Sequence, residues 1–276
     1  MSIKSSILHL ISVILHGEPR PVKAEIRLLQ PNRLLEGKKI IITGGGRGLG
    51  KAMAKKFIAE GAKVLIAGRN EQILAETADK LGCEHLQLDV QDTASFKEFI
   101  TKADSILGGA NCLVNNAGIS LHESGFTEVT PDQFDSQFAT NLKGPFFLTQ
   151  CFIETCESAN ATSEFKKILF TSSETGMTVD ERPYGLTKAA LNSLVQGLAY
   201  RYKNKNYRIN AIAPGITLSD MVGKTDTEDI RLGDNRYYLP EEVAEVACFL
   251  ISDASNCLNG QILVCNEGKT INARWR

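Results

Sequence analysis

Tyr184-Gly185-Leu186-Thr187-Lys188 follows Pro183, and a proline there suits the first turn of a helix. Side chains four positions apart share one helical face, so the Lys188 ammonium stands beside the Tyr184 phenol. An ordinary phenol has a pKa of about 10, and bringing it near 7 takes about 4 kcal/mol of preferential stabilisation of the phenolate. A neighbouring ammonium and a positive nicotinamide ring, in a site sheltered from water, could supply that. Tyr184 would then give a proton in reduction and take one in oxidation. Much earlier, Thr43-Gly44-Gly45-Gly46-Arg47-Gly48-Leu49-Gly50 follows the apolar run Ile40-Ile41-Ile42. Gly44, Gly48 and Gly50 allow a tight turn and let a pyrophosphate approach the backbone, while the helix expected from Leu49 to Ala59 offers free N–H groups. A dinucleotide holder and a proton mover in one chain point to hydride transfer to or from a carbonyl or alcohol. Either motif by itself also fits plain structure: a glycine-rich turn, or a surface Tyr/Lys pair.

The choice of dinucleotide is read where the second apolar run ends, at Val64-Leu65-Ile66-Ala67-Gly68-Arg69. An NAD site usually places an Asp or Glu there for the ribose 2′-hydroxyl. Gly68 and Arg69 stand there instead. Arg69, joined by Arg47, can pair with a 2′-phosphate that a carboxylate would repel, so NADP(H) is expected over NAD(H), unless both arginines are merely solvated.

These residues need a scaffold, and the pattern of the chain supplies one. Short β-rich runs at Lys39 to Thr43, Lys63 to Ala67, Glu84 to Leu88, Cys112 to Asn115, Lys167 to Thr171, Arg208 to Ala213 and Gln261 to Cys265 alternate with helical stretches. Such alternation predicts βαβ units, hence a parallel sheet with helices on both faces. With 276 residues, 43% of them hydrophobic, the chain suffices for one α/β domain and not for two ordinary enzyme domains.

Residues 1–36 read as an extension to a catalytic domain at 37–276. Ile3, Ile7, Leu10, Ile11 and Ile14 fall on one face of an amphipathic helix that Pro19-Arg20-Pro21 ends, and Val22 to Leu28 alternates like a short half-buried strand. The extension is expected to pack on the body or on another subunit, or to attach to a membrane surface. Its apolar run falls short of the ~20 residues that span a bilayer, and it lacks a good cleavage site for a signal segment.

A net charge of −1 gives no broad attraction for nucleic acid, which is not expected as a partner. The seven cysteines are odd in number, form no Cys-x-x-Cys pair and mostly sit in apolar runs. They read as buried reduced thiols of a cytoplasmic protein. The four histidines have no ligand spacing, so no metal is expected.

Over residues 37 to 268 the chain resembles the short-chain dehydrogenase/reductase family, on landmarks in the family's order. They are Thr43-Gly44-x-x-x-Gly48-x-Gly50, Asp89-Val90, Asn115-Asn116-Ala117-Gly118, Asn141, Ser173, Tyr184-x-x-x-Lys188 and Pro214-Gly215. The resemblance implies a Rossmann-type doubly wound, seven-stranded parallel sheet with nicotinamide at the C-terminal strand ends. It also implies a homodimer or homotetramer built from helices around residues 131 to 157 and 184 to 203. By the same resemblance Asp89 and Val90 contact the adenine, Asn115 steadies the central strand, and Asn116, Ala117, Gly118, Tyr184 and Lys188 border the cofactor. Pro214, Gly215, Thr217 and Ser219 would grip the nicotinamide carboxamide, with serine at 219 where threonine is usual.

Ser173, within Ser173-Glu174-Thr175-Gly176, is the expected hydrogen-bond donor to the substrate oxygen, with Ser172 as fallback. Tyr184 stands two positions closer to Ser173 than is usual in the family, which puts the adjoining pocket in question. Asn141 has local support of its own. In Asn141-Leu142-Lys143-Gly144-Pro145 the proline has no N–H for the carbonyl four residues back, so that carbonyl can hold a water for a proton relay, or the Gly-Pro pair simply kinks the helix. Near the end, the family's Asp-Gly-Gly has become Asn266-Glu267-Gly268.

The expected function is an NADP(H)-dependent oxidoreductase acting on a small-molecule carbonyl or secondary alcohol. The closest-looking subgroup comprises the 3-oxoacyl-thioester reductases, from Arg208-Ile209-Asn210-Ala211-Ile212-Ala213-Pro214-Gly215 and the Pro240-Glu241-Glu242-Val243-Ala244 helix start. A sugar or polyol oxidoreductase also fits the polar loops. A catalytically idle dinucleotide sensor is the alternative from another class. A serine hydrolase lacks both its Gly-x-Ser-x-Gly elbow and a histidine after Ser173.

Overall fold

The computed structural model describes residues 33–158, 164–224, 230–232 and 235–271. The amphipathic helix and short strand expected near the N-terminus fall on residues outside that range. Seven strands form one sheet: β1 (Lys39–Thr43), β2 (Lys63–Gly68), β3 (Glu84–Gln87), β4 (Cys112–Asn115), β5 (Lys166–Thr171), β6 (Tyr207–Pro214) and β7 (Ile262–Cys265). Their spatial order is β3-β2-β1-β4-β5-β6-β7, and every neighbouring pair is parallel. The doubly wound parallel sheet expected from the alternation is present, with strand limits shifted by no more than one residue at either end.

The central strands are apolar throughout because both faces are covered. In β1, successive side chains enter different cores: Ile41 joins one, Ile40 and Ile42 the other. Helices α1 (Gly48–Ala59), α2 (Glu71–Leu81) and α7 (Pro240–Ile251) cover one face through Met53, Phe57, Leu74, Val243 and Leu250. Helices α3 (Phe96–Leu107), α5 (Gly144–Ser158) and α6 (Pro183–Tyr202) cover the other through Phe96, Ile100, Phe152, Leu191 and Val195. Short α4 (Pro131–Phe138) opens with a capping box between Thr130 and Gln133. A small antiparallel hairpin pairs Arg231–Leu232 with Asn235–Arg236.

Between α4 and α5 the chain makes a π-helical turn, Ala139–Lys143. Pro145 lacks the N–H that would continue a regular ladder, and π turns arise where that ladder is broken. Gly144 is needed there because a Cβ would run into the Val90 carbonyl. Residues 33–37 already pack on the body: Leu35 is fully buried, and its N–H donates to the Glu60 carbonyl at 2.9 Å.

The cysteines are less uniform than expected. Cys112 and Cys248 are buried, with thiols pushed up to about 12 by desolvation, whereas Cys257 is exposed. Lys167, read as part of an apolar strand, is buried in β5. Its amine donates to the Ser252 carbonyl at 2.9 Å and to Ser255 Oγ at 3.3 Å, so its polar head is satisfied under the end of α7.

Candidate active site

After β1 the chain crosses to one face of the sheet through α1, and after β4 it continues on the other through α5. The C-terminal ends of β1 and β4 thus border a crevice at the point where the sheet changes winding direction, the usual ligand position in such sheets. Thr43, at the end of β1, ties the two sides. Its Oγ1 accepts the N–H groups of Asn116 and Ala117, each at 3.1 Å. The Asn116 amide donates back to the Thr43 carbonyl at 3.0 Å and to that of Gly44 at 3.3 Å, while Thr171 Oγ1 donates to Asn116 Oδ1 at 3.2 Å.

The glycine loop fits a pyrophosphate cradle. Gly44 (φ +67°) and Gly48 (φ +51°) occupy the left-handed region that glycine enters freely. A Cβ on Gly50 would collide with the Gly44 carbonyl and lie 2.6 Å from the Asn116 amide nitrogen. Arg47 precedes α1 in extended backbone (φ −154°) and makes no side-chain cap, so the first N–H groups of α1, at Gly48 to Gly50, keep their anion-binding capacity. Gly68 closes β2, and the exposed Arg69 follows it with no carboxylate at the strand end. Asp89 and Val90 follow β3; Asp89 Oδ1 accepts the Gln91 N–H at 2.9 Å, and Val90 is buried.

The proton-handling groups meet above β4 and β5. Lys188 is 3% exposed; its Nζ donates to the Thr171 carbonyl at 2.7 Å and lies 5.6 Å from the centre of the Tyr184 ring. Burial pushes its amine down to about 8. Burial raises the Tyr184 phenol above its ordinary value, and the Ser173 hydroxyl, hydrogen-bonded to it, partly counters that rise. A Cβ on Gly118 would lie 3.6 Å from Lys188 Nζ and 3.3 Å from Asn141 Oδ1, which puts the loop after β4 against the lysine.

Ser173, not Ser172, reaches the phenol. Ser172 is held away: its Oγ donates to Asn192 Oδ1 at 2.6 Å and to the Lys188 carbonyl at 3.4 Å. Asn141 is buried, and its side chain clamps Ile119 from both sides, accepting its N–H and donating to its carbonyl at 2.9 Å each. Asn115 donates to Thr149 Oγ1 at 2.8 Å, joining β4 to α5. After β6, the segment from Pro214 turns on Gly215, where Thr217 Oγ1 donates to the Gly215 carbonyl at 3.0 Å and Ser219 Oγ to the Thr217 carbonyl at 3.2 Å. A Cβ on Gly48 would lie 3.5 Å from Ser219 Cβ, so this segment reaches the glycine loop.

Residues 44–270 match a family profile described as enoyl-(acyl carrier protein) reductase. The chain belongs to the short-chain dehydrogenase/reductase family. Like its relatives in that family it is an oxidoreductase. The versicolorin reductase of Emericella nidulans is 31% identical over 264 residues, covering 86% of this chain and 97% of its own. The 3-oxoacyl-[acyl-carrier-protein] reductase of Aquifex aeolicus is 30% identical over 249 residues, covering 85% and 98%. Among solved structures, the 3-ketoacyl-(acyl-carrier-protein) reductase of Brucella melitensis complexed with NADH has a TM-score of 0.78 at 29% identity, covering 86% and 100%. A short-chain dehydrogenase of Burkholderia cenocepacia in complex with NADP has a TM-score of 0.74 at 25% identity, covering 85% and 98%.

For this short-chain dehydrogenase/reductase the shortened path from Ser173 to Tyr184 has a structural explanation that the sequence reading missed. A 3-10 turn, Glu174–Met177, leads to Asp180, whose carboxylate takes Arg182 Nε at 2.9 Å and Nη2 at 3.0 Å. Gly185 leaves the space that Asp180 fills. Asp180, Arg182 and Gly185 together bring the chain into α6 early; the Asp-x-Arg-Pro spacing was the available signal. Asn192 also went unnoticed, although it lies one helical turn beyond Lys188 on the same face.

Proposed function

We propose that this chain is an NADP(H)-dependent carbonyl reductase, reversible as an alcohol dehydrogenase, with a 3-oxoacyl thioester as the favoured substrate form. The observation that carries the reading is the meeting of Tyr184, Ser173 and Lys188 beside Gly118 at the edge of the glycine-loop crevice. When bound, the dinucleotide supplies the hydride. Gly44, Arg47, Gly48, Leu49 and Gly50 would hold its pyrophosphate, Arg69 its 2′-phosphate, and Asp89 and Val90 its adenine. Asn116, Ala117, Gly118, Tyr184, Lys188, Pro214, Gly215, Thr217 and Ser219 would line its nicotinamide half.

Tyr184 gives its phenolic proton to the substrate oxygen as negative charge builds there, and the Ser173 hydroxyl donates a hydrogen bond to the same oxygen. Lys188 stabilises the phenolate left behind. The backbone carbonyl of Asn141 anchors a water that returns a proton along the lysine. For NADP(H) the support is chemical: no carboxylate closes β2, and Arg69 follows directly. The named neighbours hold NADP in one case and NADH in another, so the preference rests on Arg69.

A sugar or polyol fits less well than an apolar chain or ring. The segments after β4, β5 and β6 carry exposed Leu121, Met177, Val179, Ile216 and Met221 at the strand ends where Tyr184 lies. Exposed apolar side chains on the segments that follow these strands suit a ligand with an apolar body. Exposed Phe146 and Phe147 on α5, near the stacked Phe134 and Phe138 of α4, suit a homodimer or homotetramer, and a solution mass of one chain would remove that part.

The test is NADPH oxidation against a panel of 3-oxoacyl thioesters, aromatic ketones and ketoses, with Tyr184→Phe as control. Turnover should fall by 10²-fold or more in the variant while cofactor still binds. Tight cofactor binding with no turnover on any carbonyl would favour the sensor instead.

A further inference from the structure

Glu174 follows Ser173 directly, and its carboxylate is largely buried. Residue 174 is 8% exposed; Oε2 accepts from Asn266 Nδ2 at 2.9 Å and Oε1 pairs with Lys269 Nζ at 3.3 Å. Asn266 is 2% exposed and is itself fixed, donating to Thr270 Oγ1 at 3.2 Å and accepting the Gly268 N–H at 3.2 Å. Behind Glu174 the short turn is clamped from the other side. A Cβ on Gly176 would come within 2.9 Å of Lys188 Cβ, and Asn192 Nδ2 donates to the Gly176 carbonyl at 3.0 Å. Asn266 also touches the segment after β6: a Cβ on Gly215 would lie 3.2 Å from Asn266 Cβ.

The segment that carries Ser173 is therefore held between α6 on one side and the chain after β7 on the other. No backbone hydrogen bond joins that later chain to Glu174–Met177 among the described residues; the carboxylate makes the link. A loop glutamate ordinarily faces water, and its burial here costs free energy unless both oxygens are occupied. They are occupied, by one amide and one ammonium.

We propose that Glu174 is a positioning residue. Through Asn266 and Lys269 it makes the segment after β7 the brace that sets the Ser173 hydroxyl against the Tyr184 phenol, and it links that setting to the Gly215 turn. The proposal rests on the reductase reading above, which assigns Ser173 to the substrate oxygen. The Asn266 bond is the stronger half: it is buried, short and charge-assisted, whereas the Lys269 side chain is 40% exposed. Lys269→Met should therefore change little.

Three full-length variants test it: Glu174→Ala, Glu174→Gln and Lys269→Met. Glutamine keeps an oxygen for Asn266 Nδ2; alanine does not. In NADPH-linked reduction of the best carbonyl from the panel, Glu174→Ala should lower kcat at least tenfold with the KM for NADPH within twofold. Glu174→Gln should stay within threefold of the parent. An unchanged kcat in Glu174→Ala, an equal loss in Glu174→Gln, or a loss confined to the cofactor KM overturns the proposal. Hydrogen exchange, read without any substrate, keeps it separate from the reductase reading. Glu174→Ala should speed amide exchange in 173–178 and in 265–271 together, and Glu174→Gln in neither. Exchange rising in only one segment, or in neither, overturns the brace even if no carbonyl is ever reduced.

Discussion

Replacing Lys188 with methionine should stabilise the fold at neutral pH while disabling the site. In the native chain burial lowers the Lys188 amine from 10.5 to about 8, so at pH 7 the fold carries a charge that the unfolded chain holds more comfortably. That difference is worth roughly 3 kcal/mol, and the near-complete burial of the residue leaves little solvent screening to discount. Methionine fills similar space without the charge, but the Thr171 carbonyl loses the donor now at 2.7 Å, which costs about 1–2 kcal/mol. The expected balance at pH 7 is a gain of about 1–2 kcal/mol for Lys188→Met.

The sign then reverses with pH. Between about 8 and 10.5 the unfolded chain still binds a proton that the native amine has released, so parent stability climbs with pH through this window. The variant has no such group, and above the window it should be the less stable protein, by its lost hydrogen bond. Urea unfolding of both proteins at pH 7 and pH 10 measures this, because Lys167 and other titrating groups are common to both and drop out of the difference. A variant less stable at pH 7, or a difference that stays constant with pH, would refute the reasoning.

Arg69→Ala should raise the KM for NADPH at least tenfold and leave that for NADH nearly unchanged, since a charge-assisted pair to a phosphate is worth about 1.5–3 kcal/mol. Steady-state kinetics with both cofactors reads it, and equal effects on the two would count against Arg69. Gly50→Ala puts a methyl group against the Gly44 carbonyl and the Asn116 amide, so the loop must shift. Calorimetry should show dinucleotide binding lost or weakened by more than tenfold, with about 1–3 kcal/mol of stability lost in urea unfolding. Unaltered binding would mean that the loop is not the cradle described.

The sheet was legible because its strands are buried on both faces, and runs such as Ile40-Ile41-Ile42 then carry no polar interruptions. The positions of Tyr184 and Lys188 on one face follow from helical geometry alone. Serine 173 was preferred to serine 172 on the family resemblance, without a physical reason in the sequence. Both are buried hydroxyls in one turn, and the choice depends on Asn192, which draws Ser172 inward from a helix far along the chain. That burial raises the phenol was unreadable for a similar reason: it depends on how deeply the fold encloses Tyr184, which no local pattern states. Pro145 announced a broken helical ladder, yet not its π form, nor that Asn141 would spend its side chain on Ile119. Glu174 gave no signal at all, because a loop glutamate normally faces water.

The knot of Thr43, Gly44, Gly50 and Asn116 is made of main-chain atoms, one hydroxyl and one amide in mutual contact, and its hydrogen bonds are all internal to the chain. A nucleotide arriving there meets a mould already cast, so little chain entropy has to be given up on docking. Melting temperature should consequently climb with ligand concentration as simple mass action requires, with no separate increment from ordering the loop.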